Sequence, residues 1–148
     1  MPIGKLDHFS IRTTDIEASR RFYTEVMGFQ PGFRPPFKFP GIWLYNGAQY
    51  PETTGVVHII GIDLNDPQGL KDYLGDKDLD TLNGTGTVDH MAFTATGLAD
   101  MLARLQKQGV AFRERSVPSL SLHQVFFEDP SGVTIELNYP GTEVQQAA

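Results

Sequence analysis

Two stretches of this 148-residue chain follow one pattern, and that repeat limits the fold more than any other feature. LDHFSIRTTDIEASRRFYTEVMGF begins at Leu6 and VDHMAFTATGLADMLARLQKQGVAF begins at Val88. At an offset of 82 residues, Leu6 meets Val88, Asp7 meets Asp89, His8 meets His90 and Ile16 meets Leu98. Each stretch opens with the two-residue alternation of a strand and passes a polar Thr/Gly/Asp cluster. Each then takes up the period of an amphipathic helix. Ile16, Phe22, Tyr23 and Val26 form the first apolar stripe; Leu98, Met101, Leu102 and Leu105 form the second. Asp15 stands where a helix N-cap belongs, and Gly28 and Gly109 stand where C-caps belong.

Strand-like pieces follow each helix. GIWLYNG and GVVHIIG come after the first, and HQVFFEDPSGVTIELNY after the second, with hairpin-turn chemistry in its EDPSG. The plan is β-α-β-β-β, twice. It predicts an α+β fold of two repeated βαββ modules, at residues 4–62 and 87–140, making one domain over 4–140. Residues 63–86, polar and rich in Gly and Asp, read as a connector with one short helix over Gln68–Leu74. EVQQAA at the C-terminus carries no pattern and is expected to fray.

Composition removes several classes of function. A net charge of −6 and a pI near 5.1 disfavour nucleic acid and anionic membrane surfaces, which both call for a basic face. With no cysteine, a metal must be held by histidine, carboxylate or water. The opening MPIGKLDHF has no signal-peptide h-region, and no apolar run approaches the ~20 residues of a membrane span, so a cytoplasmic protein is expected.

GVVHIIG poses the sharpest chemical question. A run this apolar reads as a buried strand, yet it holds His58, whose ring nitrogens need partners. Alternation puts His8 with Ser10 on one face, His90 with Ala92, and Thr134 with Glu136 and Asn138. Each half therefore offers an ionisable group on its first strand and another on a later one: His8 with His58, and His90 with Glu136. Taken singly, each has a bland explanation as a satisfied core or surface residue. Taken together, three of the four histidines fall at repeat-related positions. If a pseudo-twofold axis relates the halves, the four groups converge, with curved mixed sheets enclosing a metal cavity. Three imidazoles and a carboxylate suit one divalent metal ion (Zn, Ni, Co, Mn or Fe) with open positions for substrate or water.

QPGFRPPFKFPGIWLYNGAQY is the other distinctive stretch. Pro35, Pro36 and Pro40 rule out a helix, and the aromatic density suits a pocket wall or a dimer contact. Trp43 and Tyr45 read as substrate-facing or as ordinary core. Arg34 and Lys38 are placed to meet a carboxylate. Arg12 shares the face of His8, as a substrate contact or a solvated strand end. His123 belongs either to the site or to an exposed strand start, since alternation groups it with Val125 and Phe127.

LDHFSIRTTDIEASRRFYTEVMGF, VDHMAF and FFEDPSGVTIELNY resemble the vicinal oxygen chelate superfamily, which includes glyoxalase I, methylmalonyl-CoA epimerase, extradiol dioxygenases, and fosfomycin and bleomycin resistance proteins. The resemblance covers about residues 4–140. It implies that His8, His90 and Glu136 bind metal, and that His58 is either a fourth ligand or an acid–base catalyst. Glyoxalase I-like members usually carry glutamate at the position of His58. Arg12 matches an arginine that contacts the glutathione carboxylate in bacterial glyoxalase I. Phe126 lies where extradiol enzymes place a tyrosine, among the substrate-lining positions.

The expected function is a metal-dependent lyase or isomerase of glyoxalase or epimerase type, acting through a metal-bound enediolate on a small substrate with vicinal oxygens, such as an organic acid or phenol. The alternatives are a ferrous, ring-cleaving extradiol dioxygenase and a non-catalytic drug-binding resistance protein. A homodimer is expected, because such modules leave sheet edges open.

Overall fold

The computed structural model of the chain describes residues 4–144. It divides into two compact units, the first running to Leu82 and the second starting at Asn83. The first contains β1 (Phe9–Thr13), α1 (Ile16–Arg21), β2 (Gln30–Pro31), β3 (Gly41–Tyr45), β4 (Val57–Gly61) and α2 (Gln68–Leu74). The second contains β5 (Met91–Thr94), α3 (Leu98–Lys107), β6 (Phe112–Val117), β7 (Leu122–Glu128) and β8 (Thr134–Pro140). The β-α-β-β-β plan is thus present twice, and α2 forms over the residues that the sequence marks for it. Most of the polar connector, as far as Leu82, belongs to the first unit.

Each unit holds one mixed four-stranded sheet of the same topology. The orders are β1-β4-β3-β2 and β5-β8-β7-β6. The first strand runs parallel to the last, and the remaining pairs are antiparallel. A parallel neighbour requires a crossover, and α1 and α3 occupy that crossover in their respective units. The architecture is α+β, as the repeat predicts.

Local chemistry explains the boundaries. Asp15 caps α1, its carboxylate accepting from the Ala18 N–H at 3.0 Å. The helix then widens over Phe22–Val26 into a π-helical turn, where the Met27 N–H bonds back to the Phe22 carbonyl. That wider turn carries Phe22, Tyr23 and Val26, all three of them buried. Gly28 and Gly109 follow their helices with φ of 77° and 67°, the left-handed backbone expected of C-terminal glycines.

Gly97, at the N-cap of α3, has no side chain to offer. Glu143 supplies the cap instead, accepting from the backbone N–H groups of Gly97 and Leu98 at 2.9 and 2.8 Å. The start of EVQQAA is therefore tied down rather than frayed, and residues 145–148 lie outside the described residues.

One face of each sheet packs on the helices. Ile11, Val57 and Ile59 are buried in the first unit; Val125, Ile135, Leu137 and Tyr139 are buried in the second. Burial pushes the Tyr139 phenol up to about 12, and the Glu143 carboxylate adds to the shift. Tyr139 is 1% exposed, so this shift is a stability statement. Below pH 10 the phenol is protonated in folded and unfolded chains alike. Between about 10 and 12 only the unfolded chain releases the proton, and stability should fall by ~1.4 kcal/mol per pH unit. Urea midpoints measured from pH 9 to 12 should drop in that window, and Tyr139→Phe should remove this part of the slope.

Candidate functional site

The opposite sheet faces carry the candidate chemistry, and strand register shows how. His58 pairs with Ser10 across β4 and β1, while Glu136 pairs with Ala92 across β8 and β5. Ser10 and Ala92 are themselves 82 residues apart. On the other side, His58 pairs with Trp43 and Glu136 pairs with Phe126. His58 and Glu136 thus stand at equivalent places in the two sheets, as do Trp43 and Phe126. His8 and His90 lie just ahead of β1 and β5.

In the second unit, His90 Nε2 stands 3.0 Å from Glu136 Oε2. Glu136 is 7% exposed, yet its carboxylate is well supported. Gln124 Nε2 and Asn138 Nδ2 both donate to Oε1 at 2.8 Å. Two amides thus occupy one oxygen and aim the other at His90. Sequence alternation places Asn138 on this face, but Gln124 as a support emerges only from the β7–β8 register. Phe126 lies on the same face, edge-on to the His90 ring at 6.3 Å, with the Arg113 guanidinium over its own ring.

Both leading histidines are oriented by the aspartate before them. His8 Nδ1 lies 2.6 Å from Asp7 Oδ2, and His90 Nδ1 lies 2.8 Å from Asp89 Oδ1. The His8 contact, helped by the Thr54 hydroxyl, holds Asp7 below the usual carboxylate range. A carboxylate on Nδ1 leaves the His8 Nε2 as a lone-pair donor, the arrangement common behind metal-ligating histidines, whereas the His90 Nε2 faces a second carboxylate, Glu136.

His58 is held differently. Its Nε2 lies 2.6 Å from the Thr54 carbonyl, to which it donates, so Nδ1 is the acceptor. Its ring is sandwiched between His8 (centroids 3.7 Å apart, planes at 17°) and Trp43 (4.0 Å, 7°). Burial pushes its pKa down, against a partial opposing effect of the Thr54 bond. The stacking limits its role as a ligand. A metal lies in the plane of each imidazole that binds it, about 2.0–2.1 Å from nitrogen. Two nearly parallel rings stacked this closely share no such point. As arranged, His8 and His58 do not bind one ion together.

The remaining candidates fall into two groups. Trp43 and Arg12 lie on the His58 face, with the Arg12 Nη2 donating to the Thr81 hydroxyl at 2.6 Å. Tyr45 is fully buried and donates its hydroxyl to the Phe33 carbonyl, so it presents no surface to a ligand. His123 is buried on the opposite sheet face from Glu136, bonded to Ser116 Oγ and Glu114 Oε1, both at 2.9 Å. Arg34 stacks on Phe37 and Phe39 and donates to the Phe39 carbonyl.

The His8 Nε2, and the His90 Nε2 with the Glu136 Oε2 that it faces at 3.0 Å, are the donor chemistry that a divalent transition metal takes. The donors stand as one group on the first unit and a pair on the second. Among the described residues, no three His, Asp or Glu side chains are gathered as a metal cluster. No helix among them is long and apolar enough to cross a membrane.

Comparison with known proteins agrees with the repeat. The chain is 28% identical over 143 residues to Glyoxylase I 4 of Arabidopsis thaliana, covering 91% of this chain and 70% of that one. It is 27% identical to the lactoylglutathione lyase of Schizosaccharomyces pombe, with 93% of this chain matching about half (48%) of that longer protein. A solved lactoylglutathione lyase from Agrobacterium tumefaciens superposes with a TM-score of 0.60 over 96% of this chain and 98% of its own, at 13% identity, a likeness of fold. The family profile of the Glyoxalase/Bleomycin resistance protein/Dioxygenase superfamily matches residues 5–137, and with the duplicated sheets and their repeat-related histidines it shows that the chain belongs to that superfamily.

Proposed function

We propose that the chain is a metal-dependent lyase or isomerase of glyoxalase or epimerase type, acting on a small molecule with neighbouring oxygens. The observation that supports this most is the duplicated Asp–His pair, Asp7 on His8 and Asp89 on His90, each carboxylate holding its ring by Nδ1, with the His90 Nε2 turned to Glu136 Oε2. His8, His90 and Glu136 are the ligands. A bound divalent ion supplies Lewis-acid polarisation of the two substrate oxygens.

His58 is the acid–base residue. Its Nε2–H is fixed on the Thr54 carbonyl, and the rings of His8 and Trp43 hold its plane, so its free Nδ1 has one orientation from which to take a proton. Trp43 beside His58 and Phe126 beside Glu136, at equivalent register positions, give each unit apolar surface next to its chemistry.

Metal analysis of protein purified without added metal tests the first part. One zinc, nickel, cobalt or manganese ion per chain without catechol-dependent oxygen uptake is the expected result. Iron with such uptake would favour a ring-cleaving dioxygenase, and an inability to load metal would favour drug binding without catalysis. His58→Ala tests the second part. The variant should keep its metal and lose at least ~10²-fold in deuterium exchange at the hydroxymethyl carbon of hydroxyacetone. Loss of metal would instead make His58 a ligand.

A further inference from the structure

Thr54 serves both histidines of the first unit, each through a different group. Its hydroxyl donates to Asp7 Oδ2 at 3.1 Å, the same oxygen that holds His8 Nδ1 at 2.6 Å. Its backbone carbonyl accepts from His58 Nε2 at 2.6 Å. The two rings so held lie stacked, with centroids 3.7 Å apart. One residue of the turn before β4 therefore bears on the orientation of both.

The Thr54–Gly55 peptide is pinned from both ends. The Gly55 N–H donates to Thr53 Oγ1 at 3.2 Å. In a trans peptide the carbonyl points away from the N–H, so this bond helps to aim the Thr54 carbonyl at His58. Gly55 has a φ of 87°, and a Cβ there would stand 2.7 Å from the Leu44 carbonyl oxygen. That oxygen is itself fixed, accepting from the Val56 N–H at 2.8 Å. Just upstream, the Glu52 and Thr53 N–H groups both donate to the Gln49 carbonyl, at 3.0 and 3.3 Å. A turn tied at this many points holds its carbonyl in one direction.

The second unit meets the same need with side chains of its own sheet, Gln124 and Asn138 on Glu136. We propose that Thr54 is a positioning residue that couples the two histidines of the first unit. Through Asp7 its hydroxyl sets His8 as a metal donor. Its carbonyl withholds the His58 Nε2 from the metal and presents Nδ1 as the base. The proposal deepens the metal-and-base reading and rests on it for that consequence, whereas the ring orientations can be read in protein stripped of metal.

Nitrogen-resolved NMR of the histidine rings tests it in the full chain, metal removed with chelator, at about pH 9 where free imidazoles are neutral. The unaltered protein should show the Nε2–H tautomer at His58 and the Nδ1–H tautomer at His8. Thr54→Val, which keeps the carbonyl and loses the hydroxyl, should shift the His8 tautomer ratio towards Nε2–H by about threefold or more and leave His58 as it was. Thr54→Ser should restore the original ratio. Gly55→Ala should release His58 into a mixture of tautomers. In a zinc titration Thr54→Val should bind about three- to tenfold more weakly, and Thr54→Ser within about twofold of the original. An Nδ1–H tautomer at His58 in the unaltered protein, or an unchanged His8 ratio in folded Thr54→Val, would overturn the proposal whether or not Gly55→Ala folds. A shifted ratio with unchanged zinc affinity would uphold the coupling and remove His8 from the ligand set.

Discussion

Glu136→Gln should lower the affinity of the chain for a divalent transition metal by on the order of a hundredfold or more, with its melting temperature held within a few degrees. Loss of a partner behind a metal ligand already costs 10–100-fold, and here the ligand itself is changed. The stability should survive because the side chain's second role survives. Gln124 and Asn138 both donate to Oε1, and an amide oxygen accepts those bonds as a carboxylate oxygen does. What disappears is Oε2, the oxygen turned towards His90, replaced by an NH₂ that has no lone pair for a metal. Titration with zinc or nickel checks the affinity, and a thermal melt in chelator checks the fold. Unchanged metal affinity would remove Glu136 from the ligand set.

The repeat made most of the fold legible, because both signals that carry it are periodic. Alternation set the faces of β1, β5 and β8, and the 82-residue offset reappears in the structure at the starts of α1 and α3, Ile16 and Leu98. It appears again in the register, where His58 and Glu136 face Ser10 and Ala92. Equivalence between His58 and Glu136 was therefore readable from face alternation and from nearly equal spacings, 50 residues after His8 and 46 after His90. What spacing could not carry was the contact each one makes. His58 owes its orientation to a backbone carbonyl, Thr54, in a loop with no periodic pattern, and to aromatic stacking that depends on rotamers.

The same division explains the residues that sequence reasoning left open. Tyr45 and Trp43 are two apart on β3 and share a face, yet one is sealed under Phe33 and the other stacks on His58. Composition is identical in kind; only the chain crossing above them differs. His123 could be assigned to its face by alternation, but its partners Ser116 and Glu114 come from β6, two different steps along a neighbouring strand. The cap of α3 is similar, since Glu143 reaches Gly97 and Leu98 from the far end of the unit. Long-range polar contacts of this sort leave no local signature.

Ile135→Ala, one residue from Glu136, should produce the opposite phenotype. Ile135 is fully buried near the start of β8, paired with Met91 on one side and Phe127 on the other. Its side chain points to the helix face of the sheet, while Glu136 points to the face of His90. Truncation of a buried isoleucine removes its transfer free energy and leaves a cavity, costing about 2–5 kcal/mol. That is a large share of the roughly 5–15 kcal/mol that holds a domain together. Denaturant titration should show a midpoint lowered accordingly with little change in slope. Metal affinity of the folded variant should stay within about threefold of the original, because backbone register, not the Ile135 side chain, positions Glu136, Gln124 and Asn138. A variant that lost stability and metal together would mean that the two faces of β8 are coupled through the strand itself. The alternation that separates core from chemistry would then be less complete than the register implies.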